Sequence, residues 1–64
     1  MDKLLTPKQL SALLQVSPVL IYKWVHYDYI PHIKLGTHIR FKITKIEDWI
    51  QKRERKGGEL EILV

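Results

Sequence analysis

Sixty-four residues make one domain, and a chain this short buries only about 60% of its unfolded surface, which argues against a large enclosed active site. Eleven Lys and Arg stand against seven Asp and Glu, giving a formal net charge of +4 and a sequence pI of about 9.6, which favours a polyanionic partner. Cysteine is absent, so disulfides, thiolate zinc sites and Cys nucleophiles are excluded; nothing resembles a signal peptide or a membrane span, and the expectation is a soluble, cytoplasmic protein.

Thr6-Pro7-Lys8-Gln9 opens the first predicted helix: Thr6 caps free amides, Pro7 fits the first helical position and Gln9 reaches back to complete a capping box. Leu10, Leu13 and Leu14 form its expected apolar face. Ser17-Pro18 repeats the start signal three residues after Leu14, and Ile21, Trp24 and Val25 give the second helix a buried stripe. Two short helices this close must cross steeply around a sharp turn, the arithmetic of a helix-turn-helix.

Asp28-Tyr29-Ile30-Pro31 breaks the helical pattern, and the period then changes from about 3.6 to 2. Ile33 and Leu35 alternate with His32 and Lys34; after Gly36-Thr37, Ile39, Phe41 and Ile43 alternate with His38, Arg40 and Lys42. The pattern predicts a β-hairpin with one apolar and one basic face. Pairing Leu35 with Ile39 and Ile33 with Phe41 would put the apolar set on one side, so a loop of three or more residues, or a bulge, is expected. Thr44-Lys45-Ile46-Glu47 reads as a second capping box, starting a helix with Ile46, Trp49 and Ile50 inside and Lys45, Asp48, Gln51 and Lys52 outside; Gly57-Gly58 stops it. The expected fold is mainly α with a small β-hairpin wing, a winged helix-turn-helix of order α-α-β-β-α over 1–56. The 57–64 tail is either frayed or a strand that pairs with something.

A second helix after a tight turn, followed by a basic hairpin, supplies two probes for double-stranded DNA. Pro18, Val19, Tyr22, Lys23 and His26 point away from the Ile21-Trp24-Val25 stripe and are the candidate groove-facing set. Lys23 suits guanine acceptors or phosphate, Tyr22 a phosphate, His26 either, and Val19 a thymine methyl group. Amides near Ser17 favour a phosphate. On the hairpin, Lys34, His38, Arg40 and Lys42 form the basic face, the Gly36-Thr37 turn can approach the backbone or minor groove, and Arg40 is the charge best suited to a narrow minor groove.

Over roughly residues 4–52 the chain resembles the small winged helix-turn-helix domains of phage excisionases and the MerR superfamily. The resemblance rests on Leu5-Thr6, Leu13-Leu14-Gln15-Val16-Ser17, Ile21-Tyr22-Lys23-Trp24, Ile30-Pro31, Leu35-Gly36, Arg40-Phe41 and Trp49. It implies the second helix in the major groove, the wing on flanking backbone, and DNA contacts by Ser17, Tyr22, Lys23 and the wing from Gly36 to Arg40. Gln15 and Asp28 stand where that family often has glycine, and Pro18-Val19-Leu20 replaces a more polar stretch. The long dimerisation helix and effector domain of MerR-type regulators have no counterpart, which places the chain nearer the excisionase-like end.

Blander readings apply elsewhere. Trp24 and Trp49 fall on apolar stripes and read as core. His26, His32 and His38 lie on three different elements without ligand spacing, so no metal is expected. Lys52-Arg53-Glu54-Arg55-Lys56 reads as a solvated helix end, with a phosphate role for Arg53 or Lys56 as the sharper alternative. Tyr27 and Tyr29 either pack under the wing or lie exposed. The carboxylates lack partners for catalysis, and no enzyme, cofactor or small-molecule ligand is expected. The sequence therefore points to a nucleoid-associated, DNA-binding transcription regulator or excisionase-like recombination factor without membrane contact, self-associating on DNA as a dimer or head-to-tail array. The 60–64 tail is a candidate contact for that self-association. The rival reading is a protein-interaction adaptor that offers a partner an apolar surface such as Val19-Leu20 with the tail.

Overall fold

The computed structural model describes residues 3–55, so the Gly57-Gly58 stop and the 57–64 tail lie outside the described residues. The element order is β1 (Leu4–Leu5), α1 (Pro7–Leu14), α2 (Pro18–His26), β2 (Ile33–Leu35), β3 (His38–Lys42) and α3 (Ile43–Gln51). Three helices and a small antiparallel sheet are present, with one departure from the expected order: a short strand precedes α1.

The first capping box forms as expected. The Gln9 N–H donates to Thr6 Oγ1 at 3.0 Å and the Thr6 N–H donates to Gln9 Oε1 at 3.0 Å, with Pro7 in the first turn. The buried face of α1 differs from the leucine triad. Pro7, Leu10 and Ser11 are buried and Leu14 is half-buried, the i, i+3, i+4, i+7 stripe; Leu13 lies about 110° around the helix from it and is 55% exposed. Ser11 tolerates burial because its hydroxyl donates to the Lys8 carbonyl at 2.9 Å.

Both helices of the pair end the same way. Gln15 takes left-handed angles (φ 58, ψ 43), its N–H donates to the Ala12 carbonyl at 3.3 Å, and the Val16 N–H donates to the Ser11 carbonyl at 3.0 Å. Asp28 (φ 56) donates to Val25 at 3.0 Å and Tyr29 to Trp24 at 2.8 Å. These are Schellman ends, and at the second the accompanying apolar contact is aromatic: the Trp24 and Tyr29 rings are 5.9 Å apart.

The sheet order is β1-β3-β2, both pairings antiparallel, with Leu5 opposite Phe41 and Leu4 opposite Lys42. The hairpin register corrects the sequence reading. Leu35 pairs with His38, Lys34 with Ile39 and Ile33 with Arg40, which leaves a two-residue Gly36-Thr37 turn. Gly36 has φ +64 and Thr37 has no positive φ, the pattern of a II′ turn whose twist matches paired strands. Turn geometry therefore outweighs side-chain pattern in a strand of three residues. The central strand keeps Phe41 and Ile39 inside, while Leu35, half exposed, joins His38 and Arg40 on the outer face. The expected apolar/basic division of the wing is replaced by a mixed outer face of Ile33, Leu35, His38 and Arg40, and Lys34, opposite Ile39, falls on the other face and not with His38 and Arg40.

Helix α3 begins at Ile43, directly off β3, with Lys42 at the cap and no side-chain cap bond. Thr44 is thus inside the first turn and not the cap; starting two residues early brings Ile43 against the core. The helix ends at Gln51, where Arg53 and Glu54 N–H groups bond three residues back to Ile50 and Gln51, well before Gly57. Ile46 is buried and Trp49 half-buried, whereas Ile50 is exposed, not inside. Among the described residues the buried apolar core is Leu5, Leu10, Ile21, Ile30, Phe41 and Ile46, one residue from each element except β2, plus Ile30 from the α2–β2 connection.

Candidate nucleic-acid interface

Helix α2 starts at Ser17, whose Oγ accepts the Leu20 N–H at 3.2 Å. Because Pro18 has no N–H and the Leu20 and Ile21 amides are bonded to Ser17, the helix start retains little beyond the Val19 amide for a phosphate. The Ser17 hydroxyl is thereby a structural cap first. Ile21 is fully buried and Trp24 and Val25 half-buried, which orients the helix and turns the opposite side to solvent. Pro18, Val19 (75% exposed), Tyr22 (54% exposed), Lys23 and His26 all lie on that outward side. Tyr27, left undecided by the sequence, extends it: it is 70% exposed, and its ring meets His26 edge-on at 5.0 Å.

The wing presents Lys34, Gly36, Thr37 and His38 exposed at its tip. A Cβ added at Gly36 would meet nothing within 4 Å, so the turn has open space before it. Arg40 and Lys42 sit lower and are half-buried. Arg40 Nη1 donates to the Ile39 carbonyl at 2.8 Å, folding the guanidinium onto its own strand, and Lys42 occupies the junction with α3. The candidate set therefore divides into an α2 face, a wing tip and a wing base.

Charge is distributed unevenly along the chain. From Lys3 to Ile46 there are seven Lys and Arg and one carboxylate, Asp28; the other six carboxylates lie at Asp2 and from Glu47 onward. The helix pair and the wing, residues 7–42, hold five of these cations, Lys8, Lys23, Lys34, Arg40 and Lys42, against Asp28, so the chain's net charge of +4 lies on them. Such a unit attracts a polyanion over a Debye length of about 8–10 Å.

The remaining aromatic residues are structural. Trp24 and Trp49 rings lie 5.5 Å apart and Tyr29 and Trp49 5.6 Å apart, with the Trp49 indole N–H donating to the Tyr29 carbonyl at 3.0 Å. Arg53 stacks over both Trp49 (4.4 Å) and Tyr29 (4.8 Å), and donates to the Tyr29 hydroxyl and the Trp49 carbonyl. Arg53 is therefore committed to this cluster and is not part of a freely solvated charge run, a role that its spacing four residues after Trp49 was able to signal. Lys52 pairs with Asp48 at 3.1 Å, both well exposed.

A concave surface of about 450 Å³ lies between the 28–33 connection, Lys42 and Lys45. Beside it, His32 Nδ1 is 2.8 Å from the Ile30 carbonyl; a carbonyl only accepts, so Nδ1 carries the proton. Among the described residues no group of three or more His, Cys, Asp or Glu is placed to hold a metal ion, and no helix is long and apolar enough to cross a membrane.

A family model described as a helix-turn-helix domain matches residues 4–54, spanning both the helix pair and the wing. No curated protein and no solved structure gives a significant match.

Proposed function

The chain belongs to the helix-turn-helix domain family, a DNA-binding fold, and on that premise we propose that it is a small transcription regulator or excisionase-like recombination factor acting on double-stranded DNA. In this reading α2 enters the major groove and the wing follows the flanking backbone or minor groove. Lys23 supplies the helix's central cation, Tyr22 and His26 reach phosphates or base edges, and Val19 contacts thymine methyl groups. At the wing, Lys34 and His38 lie near the Gly36-Thr37 turn on opposite faces of the hairpin, and Arg40 exchanges its Ile39 carbonyl for a phosphate or a narrow minor groove. The single observation that carries this reading is the charge of the helix pair and the wing, five Lys and Arg against one carboxylate over residues 7–42, which accounts for the chain's whole net charge of +4. The role is binding without catalysis. A module of this size buries about 600–1,000 Å² on DNA, so useful affinity calls for several copies along a site.

Fluorescence anisotropy against a labelled random-sequence duplex tests the proposal. Binding at low salt should weaken with a log-log slope of roughly −3 to −6, for several neutralised phosphates. A Lys23→Ala, Arg40→Ala double substitution should abolish that binding while leaving the circular dichroism spectrum intact. Exposed Val19 and Leu13 favour the second reading, a protein-interaction adaptor; absence of low-salt binding, or a double variant that binds DNA as before, would put that reading ahead.

A further inference from the structure

The three helices leave a groove of about 390 Å³ lined by Leu14 and Val16 from the end of α1, Trp24 from α2, and Trp49 and Ile50 from α3. Two of its polar neighbours are already engaged: the Trp49 indole N–H serves Tyr29, and the Arg53 guanidinium serves the Tyr29 hydroxyl and the Trp49 carbonyl. Apart from Glu54 the lining offers mainly apolar surface, which suits an apolar occupant. The described chain runs out along this same groove, since Arg53 and Glu54 also line it and Arg55 is the last described residue.

We propose that segment 60–64 of the same chain docks in this groove. Leu60 is five residues beyond Arg55, a reach of up to about 17 Å, and the intervening Gly57-Gly58 imposes no steric bar to reversing direction. The segment reads Leu60-Glu61-Ile62-Leu63-Val64; extended, its alternation puts Leu60, Ile62 and Val64 on one side. A short tether holds the segment at an effective concentration in roughly the millimolar range, which favours the chain's own groove over that of a second copy in dilute solution. The groove lies on the Trp24 side of α2, away from Val19, Tyr22, Lys23 and His26, so docking leaves the proposed DNA face clear.

The chain has no cysteine, so a Leu63→Cys variant of the full chain accepts a single nitroxide label away from the docking side. The expected result is strong relaxation broadening of the Trp24 and Trp49 indole resonances and of the Leu14 and Val16 methyl resonances, with Gly36 and Thr37 spared. Uniform broadening, or none, overturns the proposal. Broadening of an isotope-labelled, nitroxide-free copy mixed with a spin-labelled unenriched copy also overturns it, because the occupant would then come from a second molecule. In parallel, Leu60→Asp combined with Ile62→Asp should shift tryptophan emission to the red in a folded protein; an unchanged spectrum counts against docking. None of these readouts involves DNA, so they stand or fall separately from the proposed function.

Discussion

Replacing Gln15 by glycine should stabilise the protein. Gln15 is held at φ 58, ψ 43, a conformation in which an L side chain crowds the following carbonyl at a cost of about 1–2 kcal/mol. Its side chain is exposed, and the bonds that close the turn are made by backbone N–H groups, so little is lost with the side chain. Glycine removes the strain but adds conformational freedom to the unfolded chain, an offset of about 0.5–1 kcal/mol. The net gain is about 0.5–1 kcal/mol. At about 4–8 °C per kcal/mol for a domain of this size, the melting temperature should rise by roughly 2–8 °C. Thermal denaturation followed by circular dichroism measures this directly, and Gln15→Ala is the control because it removes the long side chain while keeping a Cβ. An unchanged or lower melting temperature in Gln15→Gly, or an equal rise in Gln15→Ala, would refute the argument from backbone strain.

Other outcomes follow from single contacts. Thr6→Ala removes the oxygen that receives the Gln9 amide and should cost about 1 kcal/mol, visible as an earlier thermal transition. Arg53→Ala removes two stacking contacts and two hydrogen bonds from the Trp24-Tyr29-Trp49 cluster. It should cost about 1 kcal/mol and alter tryptophan emission, whereas Lys52→Ala, breaking an exposed pair, should fall within about 0.5 kcal/mol of the parent. Gly36→Ala meets no steric obstacle but places a Cβ at φ +64, so a loss of about 1–2 kcal/mol in chemical denaturation would report backbone strain at the wing tip.

Features written in local chemistry were legible in the sequence. The Thr6 and Ser17 caps, the breaks at Gln15 and Asp28, the burial of Ile21 and Ile46, and the outward side of α2 each depend on a few neighbouring residues. What required tertiary information was misread. Leu13 looks apolar enough for the core, but the stripe begins at Pro7, and a proline at a helix start is easily taken for punctuation alone. Strand β1 is two residues long and carries no periodic signal; it forms because β3 has a free edge beside Phe41. The wing register pitted burial of Ile33 and Leu35 against the turn preference of Gly36, and for three residues the turn prevails. The start of α3 was placed at Thr44 by its capping pattern, yet packing of Ile43 brings the helix forward. At the candidate interface, the sequence located the outward residues of α2 and the wing tip, but not the retreat of Arg40 onto its own strand or the engagement of Arg53 with aromatic rings.

The arrangement of the core, in which nearly every element contributes one buried side chain, has a consequence for how this domain behaves as a population. No helix or strand owns a private nucleus large enough to persist when its neighbours leave, so melting any one of them exposes the single shared centre and the chain opens as a unit. The outward surface of α2 and the wing then exist together or not at all. Any ligand held by the assembled pair draws the folding equilibrium toward itself by mass action, adding RT ln(1 + [L]/Kd) to stability, so occupancy and integrity become one quantity. Amide exchange rates across α1, α2 and β3 should accordingly converge on a common opening free energy, and all should slow in proportion when the ligand is present.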